Sequence, residues 1–296
     1  MRSGEGLGLT ATRPIALRAR LSAHHLPIAN VVLYALLVTV ALVMLFPFAW
    51  MVATSLTPDA QLFLTPPRLI PSPLEPGNYA RVAETFPLQR FVLNSLVVAA
   101  VCTTLQVATS AMGAYAFARL RFPGRDALFL VYLATLMVPL QVTIVPLFVE
   151  MRFLGFVDTY PGLILPGIAS AFGTFLLRQA FLELPRELEE AAFLDGGGHW
   201  TAFRHVVLPL SGPALATFGI FAFMASWNSF LWPLVITSTQ NLMTLPVGLS
   251  NLQGQYATAW NLVMAGATVS VLPILAVYLV AQRYVIRGVA LSGLKG

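Results

Sequence analysis

The chain has 296 residues, of which 57% are hydrophobic and only 10% charged, whereas soluble domains carry charge on about a quarter of theirs. That excludes an ordinary water-soluble globule and describes a polytopic membrane protein. The net charge of +5 does not mark a nucleic-acid binder, because the arginines are scattered at the ends of apolar runs, with no basic face and no interleaved aromatics.

Residues 1–27 are rich in Gly, Thr and Arg and are expected to form a cytoplasmic tail, disordered before His24. Gly4, Gly6 and Gly8 follow no strand and are no nucleotide fingerprint. The transmembrane domain proper is placed at residues 28–296. Between Arg20 and Asp59 there is no formal charge, and the most apolar part runs from Ile28 to Thr54. That is too long for a signal-peptide core, and no small-x-small cleavage site precedes Asp59, so a retained signal-anchor is predicted. Further uncharged runs cover Phe91 to Ala118, Ala127 to Val149, and Thr159 to Leu177. From His205 to Gln282 there is no fixed charge. The polar stretch Thr237 to Asn261 divides that run into two spans, Pro213–Ile236 and Leu262–Gln282, and reads as a loop. At about twenty residues per crossing, the chain predicts an all-α bundle of about six transmembrane helices.

Arg and Lys distribution orients the bundle. With the N-terminus inside, inner segments hold Arg119, Arg121, Arg125, Arg178, Arg186 and Arg204 besides both termini, while outer segments hold only Arg68, Arg81, Arg90 and Arg152. Both termini are therefore expected in the cytoplasm. Prolines within the runs (Pro47, Pro139, Pro146, Pro166, Pro233 and Pro273) predict kinks or breaks. Ser110, Ala114 and Ala118, spaced by four, predict close helix packing.

What the chain lacks narrows its function. Lys295 is the sole lysine, so no phosphate-binding loop of the Gly-Lys-Ser/Thr kind exists and the chain does not hydrolyse ATP by that chemistry. The apolar cores contain no ionisable residue to bind a coupling ion, which favours energy supplied from outside the bundle; an ion-coupled secondary transporter is the alternative. Cys102, the only cysteine, reads as a small buried hydrophobe. His24, His25, His199 and His205 lack clustered carboxylates and are read as structural or interfacial, not metal-binding. No nucleophile–base–orienter set marks an enzyme.

One cytoplasmic segment, residues 183–210, departs from its surroundings. Glu183, Arg186, Glu187, Glu189, Glu190 and Asp195 crowd into a few turns, and such charge belongs in water or against a partner. Pro185 suits a first helical turn. Leu188, Ala191, Ala192 and Leu194 would gather on one side, with Arg186, Glu187, Glu189 and Glu190 mainly on the other. Gly196-Gly197-Gly198 would end the helix, Trp200 to Val207 would form a second, and Pro209 would turn the chain back toward lipid. The predicted element is a coupling helix between the fourth and fifth spans.

Glu190-Ala191-Ala192, Asp195-Gly196 and Val206-Val207-Leu208-Pro209 resemble the Glu-Ala-Ala loop of the permease subunits of bacterial ABC importers, where nine residues separate the Gly from Ile/Val-x-Leu-Pro. Gly197 stands where a small residue such as alanine is commoner. More of the chain resembles the carbohydrate-uptake class: Ser55-Leu56-Thr57-Pro58 through Asn78-Tyr79, Asn94-Ser95, Ala114 to Arg119, Phe122-Pro123-Gly124-Arg125, Pro139-Leu140-Gln141, Trp227 to Pro233, and Gly293-Leu294-Lys295-Gly296. The resemblance implies an inner-membrane permease that pairs with a second permease and two ATPase subunits. An extracytoplasmic binding protein would feed it with a sugar or sugar derivative. It implies ATPase coupling through Glu190, Ala191, Ala192, Asp195, Gly196, Leu208 and Pro209. ATP and Mg would sit on the partner subunits, with no cofactor on this chain. Ser226, Trp227, Asn228 and Ser229 offer uncharged hydrogen-bonding groups and an aromatic face suited to a polyol, and equally suit helix packing.

Overall fold

The computed structural model describes residues 28–66, 68–255 and 259–293. The tail 1–27, with His24 and His25, and the final Leu294-Lys295-Gly296 lie outside the described residues. Among those described, the regular structure is entirely helical. The chain divides at Pro47 into two compact units. The break falls within α1 (Ile28–Ser55). In the first unit every described side chain from Asn30 to Pro47 is exposed, so these apolar turns require lipid or another apolar partner around them.

The second unit begins with the last turns of α1 and continues through α2 (Gly77–Thr85), α3 (Leu88–Arg119), α4 (Arg125–Ala134), α5 (Leu140–Phe153), α6 (Tyr160–Ile164) and α7 (Ala171–Leu182). Then come α8 (Glu187–Leu194), α9 (His199–Ala202), a π-helical turn at Phe203–Val207, and α10 (Leu208–Leu210). The last elements are α11 (Gly212–Trp227), α12 (Leu231–Ile236), α13 (Leu245–Gln255) and α14 (Trp260–Gly293). Asn30–Ser55, Leu88–Arg119 and Trp260–Val280 are each long and apolar enough to cross a membrane. The number rises to six if each of three bent pairs counts as one span. These bends match prolines. Pro139 sits at a 99° break between α4 and α5, Pro166 in the 3-10 turn of a 46° break before α7, and Pro209 just before a 78° break into α11. Backbone groups freed there find side-chain partners: Trp232 Nε1 donates to Gly162 O at 3.0 Å, and Thr109 Oγ1 to Ile168 O at 2.6 Å.

α3 is the axis of the second unit. One cluster joins its N-terminal half (Phe91, Ala99) to α2, α13 and α14 through Val82, Leu245, Leu252 and Val263. A second joins its middle (Val98, Cys102) to α5, α6 and α12. A third joins its C-terminal half to α7 and α11 through Ala114, Ala118, Leu177, Phe181 and Phe218. Ser110, Ala114 and Ala118 are all buried, and Ser110 Oγ donates to Ser170 O at the head of α7. Small residues there let the two backbones approach. Cys102 is buried, its thiol 3.8 Å from Ile164 O.

The stretch Thr237 to Asn261 is not a plain loop. Leu245, Leu249 and Leu252 recur at helical spacing and build α13, whose Leu245 and Leu252 are buried. Gly248 lets it lie on α3: a Cβ there would meet the Phe91 ring at 2.2 Å. Pro246, Gly248, Ser250, Asn251, Gln253, Gly254 and Gln255 make up most of the rest of that helix, so composition alone disguised it.

Polar ties fix this end of the bundle. Asn78, fully buried, donates to Ser55 O and Thr57 O at 2.9 and 3.0 Å, and also pairs with Arg81. Asn261 donates to Thr57 O and Asp59 Oδ1, binding the start of α14 to the same turn. Asn94 donates to Asn241 O and Met243 O and accepts from Tyr160 Oη, while Ser95 Oγ accepts from Leu245 N. Asp158 accepts the amides of Ser238 and Thr239. Burial pushes its carboxyl up, but these hydrogen bonds outweigh burial and hold it below the usual carboxylate range.

Candidate coupling loop and cargo cleft

The loop after α7 is anchored at its base. Phe181 and Leu177 are fully buried, and Phe203 and Val207 of the π-helical turn pack against them beside Tyr115 and Ala118 of α3. Arg119 Nη2 donates to Leu184 O at 2.8 Å, so the last turn of α3 holds the chain just before α8. α8 starts after Arg186, one residue beyond Pro185, with Glu187, Glu189 and Glu190 in its first turn, where negative charge suits the helix dipole. It ends with Asp195 N bonded to Ala191 O and Gly197 N to Ala192 O. Gly196 takes a left-handed φ of +83°, the backbone turn that glycine adopts without strain. Gly198 then leads into α9, the π-helical turn and α10.

Gly197 is confined. A Cβ there would lie 2.7 Å from Ala192 O and 2.9 Å from the Thr201 methyl group. The chain's departure from alanine at this position therefore matches its own crowded turn.

One acid of α8 departs from the expected charged face: Arg186, Glu187 and Glu190 are exposed, but Glu189 is buried. Glu189 turns inward, its side chain 7% exposed, and its Oε1 lies 2.6 Å from Arg119 Nε, on a side chain 4% exposed. That contact is charge to charge, since its angles fall short of a hydrogen bond. Tyr115 Oη donates to Glu189 Oε2 at 3.3 Å and lies 3.5 Å from His199 Nδ1. His199 also meets the Phe193 ring edge-on, centroids 5.2 Å apart. Leu194 is 89% exposed, and Leu188, Phe193 and Trp200 are exposed with it. An acid turns inward because Arg119 waits there, and the apolar side is left uncovered. Sequence periodicity had no access to Arg119's position; the adjacent acids Glu189-Glu190 beside an arginine ending a span were the available signal.

Of the coupling residues read from the sequence, Glu190, Ala191, Asp195 and Gly196 are exposed on the tip and Ala192 is half-buried. Leu208 and Pro209 stand apart at the base, where Leu208 packs on the α3–α7 cluster. Among the described residues no three potential metal ligands converge.

At the other end, a cleft of about 330 Å3 opens between α11, α13 and α14, lined by Trp227, Asn228, Phe230, Ser250 and Ser270 together with Leu245, Pro246 and Leu249. None of these is ionisable. Trp227 is buried and its Nε1 donates to Ser270 O at 3.2 Å. Trp227 and Asn228 thus reach the cleft, but Ser226 and Ser229 do not line it; Ser226 lies beside the Cys102 thiol.

Residues 106–291 match the family described as the binding-protein-dependent transport system inner membrane component. The chain is 35% identical over 260 residues to the arabinooligosaccharides transport system permease protein AraQ of Halalkalibacterium halodurans, covering 87% of this chain and 93% of that protein. It is 39% identical over 264 residues to the sn-glycerol-3-phosphate transport system permease protein UgpE of Pectobacterium atrosepticum, covering 86% and 94%. A solved bacterial ABC transporter involved in the import of the acidic polysaccharide alginate superposes with a TM-score of 0.77 at 26% identity, over 87% of this chain and 96% of that one. The chain is an all-helical ABC-importer permease subunit, a transport protein and not an enzyme or an ion-coupled transporter. It belongs to the family of inner-membrane components of binding-protein-dependent transport systems.

Proposed function

We propose that residues 183–210 form the cytoplasmic handle through which an ATPase subunit drives this permease. Residues 28–296 would act as one transport domain and the 1–27 tail and the C-terminus would both face the cytoplasm. The chain would pair with a second permease and two ATPase subunits and pass a sugar or sugar derivative delivered by the extracytoplasmic binding protein. The proteins it resembles are named for arabinooligosaccharides and sn-glycerol-3-phosphate, which supports that cargo class.

The observation that carries this reading is the exposed tip of α8, where Leu188, Phe193, Leu194 and Glu190 face outward while Glu189 is locked inward against Arg119. An apolar patch rimmed by charge marks a protein contact. Glu190 would pair with a cation in the ATPase cleft, Ala191 and Ala192 would allow close approach, and Asp195 and Gly196 would shape the turn. Leu208 and Pro209 would relay the push into α11 across the 78° bend. ATP-driven closure of the ATPases would then rock the bundle between inward-open and outward-open states. Glu190→Lys should abolish uptake and reduce ATPase co-purification while leaving membrane insertion intact. Normal uptake by that variant defeats the coupling role.

A further inference from the structure

A basic cleft of about 500 Å3 lies at the start of α4, apart from the cargo cleft, and is lined by Arg121, Phe122, Arg125, Asp126 and Arg186 among others. The three arginines come from the loop after α3, the first residue of α4 and the turn before α8. They converge from separate parts of the chain. The Arg121 and Arg186 guanidinium groups make no hydrogen bond or ion pair with the described residues. Arg125 Nε holds Asp126 Oδ1 at 2.9 Å and its Nη1 donates to Leu120 O. Arg178, stacked 4.3 Å above the Phe129 ring, stands 4.0 Å from the same carboxylate oxygen. The one acid is thus already shared between two arginines, and the cleft keeps a positive surplus.

One turn further along, the helix becomes apolar. Leu128 and Val131 follow Arg125 at helical spacing and, with neighbouring Leu130, are 54%, 66% and 66% exposed. Arg121 and Arg186 are exposed at the rim of an open cleft with half-buried Arg125, and an apolar strip starts beside it. Planar guanidinium groups grip phosphate oxygens in pairs. A small soluble anion would use the cavity and leave the strip bare. We propose that this cleft binds the headgroup of an anionic phospholipid, whose acyl chains run along the Leu128–Val131 face of α4. The proposal rests on the membrane-spanning reading of the chain and not on its cargo; Arg186 is the one lining residue it shares with the proposed coupling handle, and the variants tested below leave it intact.

The test is native mass spectrometry of the assembled transporter, titrated with phosphatidylglycerol or phosphatidylcholine in the absence of cargo, binding protein and ATP. The intact complex should retain a phosphatidylglycerol that Arg121→Gln/Arg125→Gln loses, with affinity falling on the order of tenfold, consistent with the modest contribution of each basic residue at a lipid surface. Phosphatidylcholine retention should be alike in both. Asp126→Asn removes the competing carboxylate and should tighten phosphatidylglycerol binding, which keeps the test decisive if the double variant fails to assemble. Equal phosphatidylglycerol retention by the intact protein and the variants overturns the proposal. Full displacement of the lipid by inorganic phosphate also overturns it, in favour of a soluble anion. Because no transport is measured, this result is separable from the uptake result with Glu190→Lys.

Discussion

Arg119 Nε and Glu189 Oε1 lie 2.6 Å apart between side chains 4% and 7% exposed, joining the last turn of α3 to α8. A buried pair adds little net stability over an apolar substitute, but removing one partner strands the other charge at a cost of about 3–5 kcal/mol. Glu189→Ala and Arg119→Leu should each loosen the loop, read as faster trypsin cleavage at Arg186 and Arg204. Removing both charges together should restore much of the lost protection. In membranes holding the full transporter, either single variant should hydrolyse ATP with reduced uptake per ATP. Cleavage rates equal to the unaltered protein would rule out the tether.

The two adjacent glycines after α8 should respond differently to alanine. At Gly196 the φ of +83° is the difficulty and nothing lies within 4 Å of the new methyl group, so Gly196→Ala should cost about 1 kcal/mol. At Gly197 the methyl group strikes Ala192 O and Thr201, and overpacking of that kind costs about 1–3 kcal/mol. Thermal denaturation of the two purified variants should therefore rank Gly197→Ala as the less stable. The opposite order would contradict the geometry of this turn.

Acid should weaken the tie between the end of α1 and α2. The hydrogen bond from Arg81, joined by that from Asn261, holds the Asp59 carboxyl below its ordinary 3.8. A carboxyl depressed in the folded state contributes stability above its unfolded pKa and loses it as pH falls through the lower, folded value. The pair is 43% and 61% exposed, so solvent screening keeps its contribution at about 1 kcal/mol or less. The melting-temperature gap between intact protein and Asp59→Asn should hold at neutral pH and shrink below about pH 4. A gap unchanged through that range would mean the ion pair does not stabilise this junction.

The candidate cargo cleft has no ionisable lining residue, and an anion buried there would go without a compensating cation. In proteoliposomes holding the full transporter and its binding protein, an uncharged saccharide should be taken up in preference to a phosphate ester. Asn228→Ala should lower uptake about tenfold through loss of a hydrogen-bonding group, with ATPase docking unchanged. Preferred uptake of the ester would place the cargo elsewhere.

The helical fold was legible because an uncharged apolar run of about twenty residues satisfies its backbone in a bilayer by forming a helix, and Pro139, Pro166 and Pro209 marked the breaks correctly. Asn78, Asn94 and Ser95, recognisable in the sequence only as family-like, prove to be the residues that pin neighbouring turns together. Two features stayed hidden. α13 is assembled from residues that read as loop, and its three leucines gain meaning only once Phe91 and α3 lie beneath them. Glu189 reads as a solvent-facing acid until a distant arginine is placed next to it. Local pattern reports the chain's own periodicity; it does not report which opposite charge the tertiary fold delivers.

The unbroken run of α3 has a mechanical corollary. Asn94, near one end, fixes the segment leading into α13, and Arg119, at the other, grips the knuckle. Twenty-five residues at 1.5 Å each separate them by about 38 Å, with no proline to absorb a displacement. If the tip of α8 is the handle proposed above, a shove received there would arrive almost undiminished beside the opposite mouth, as motion along a piston rod.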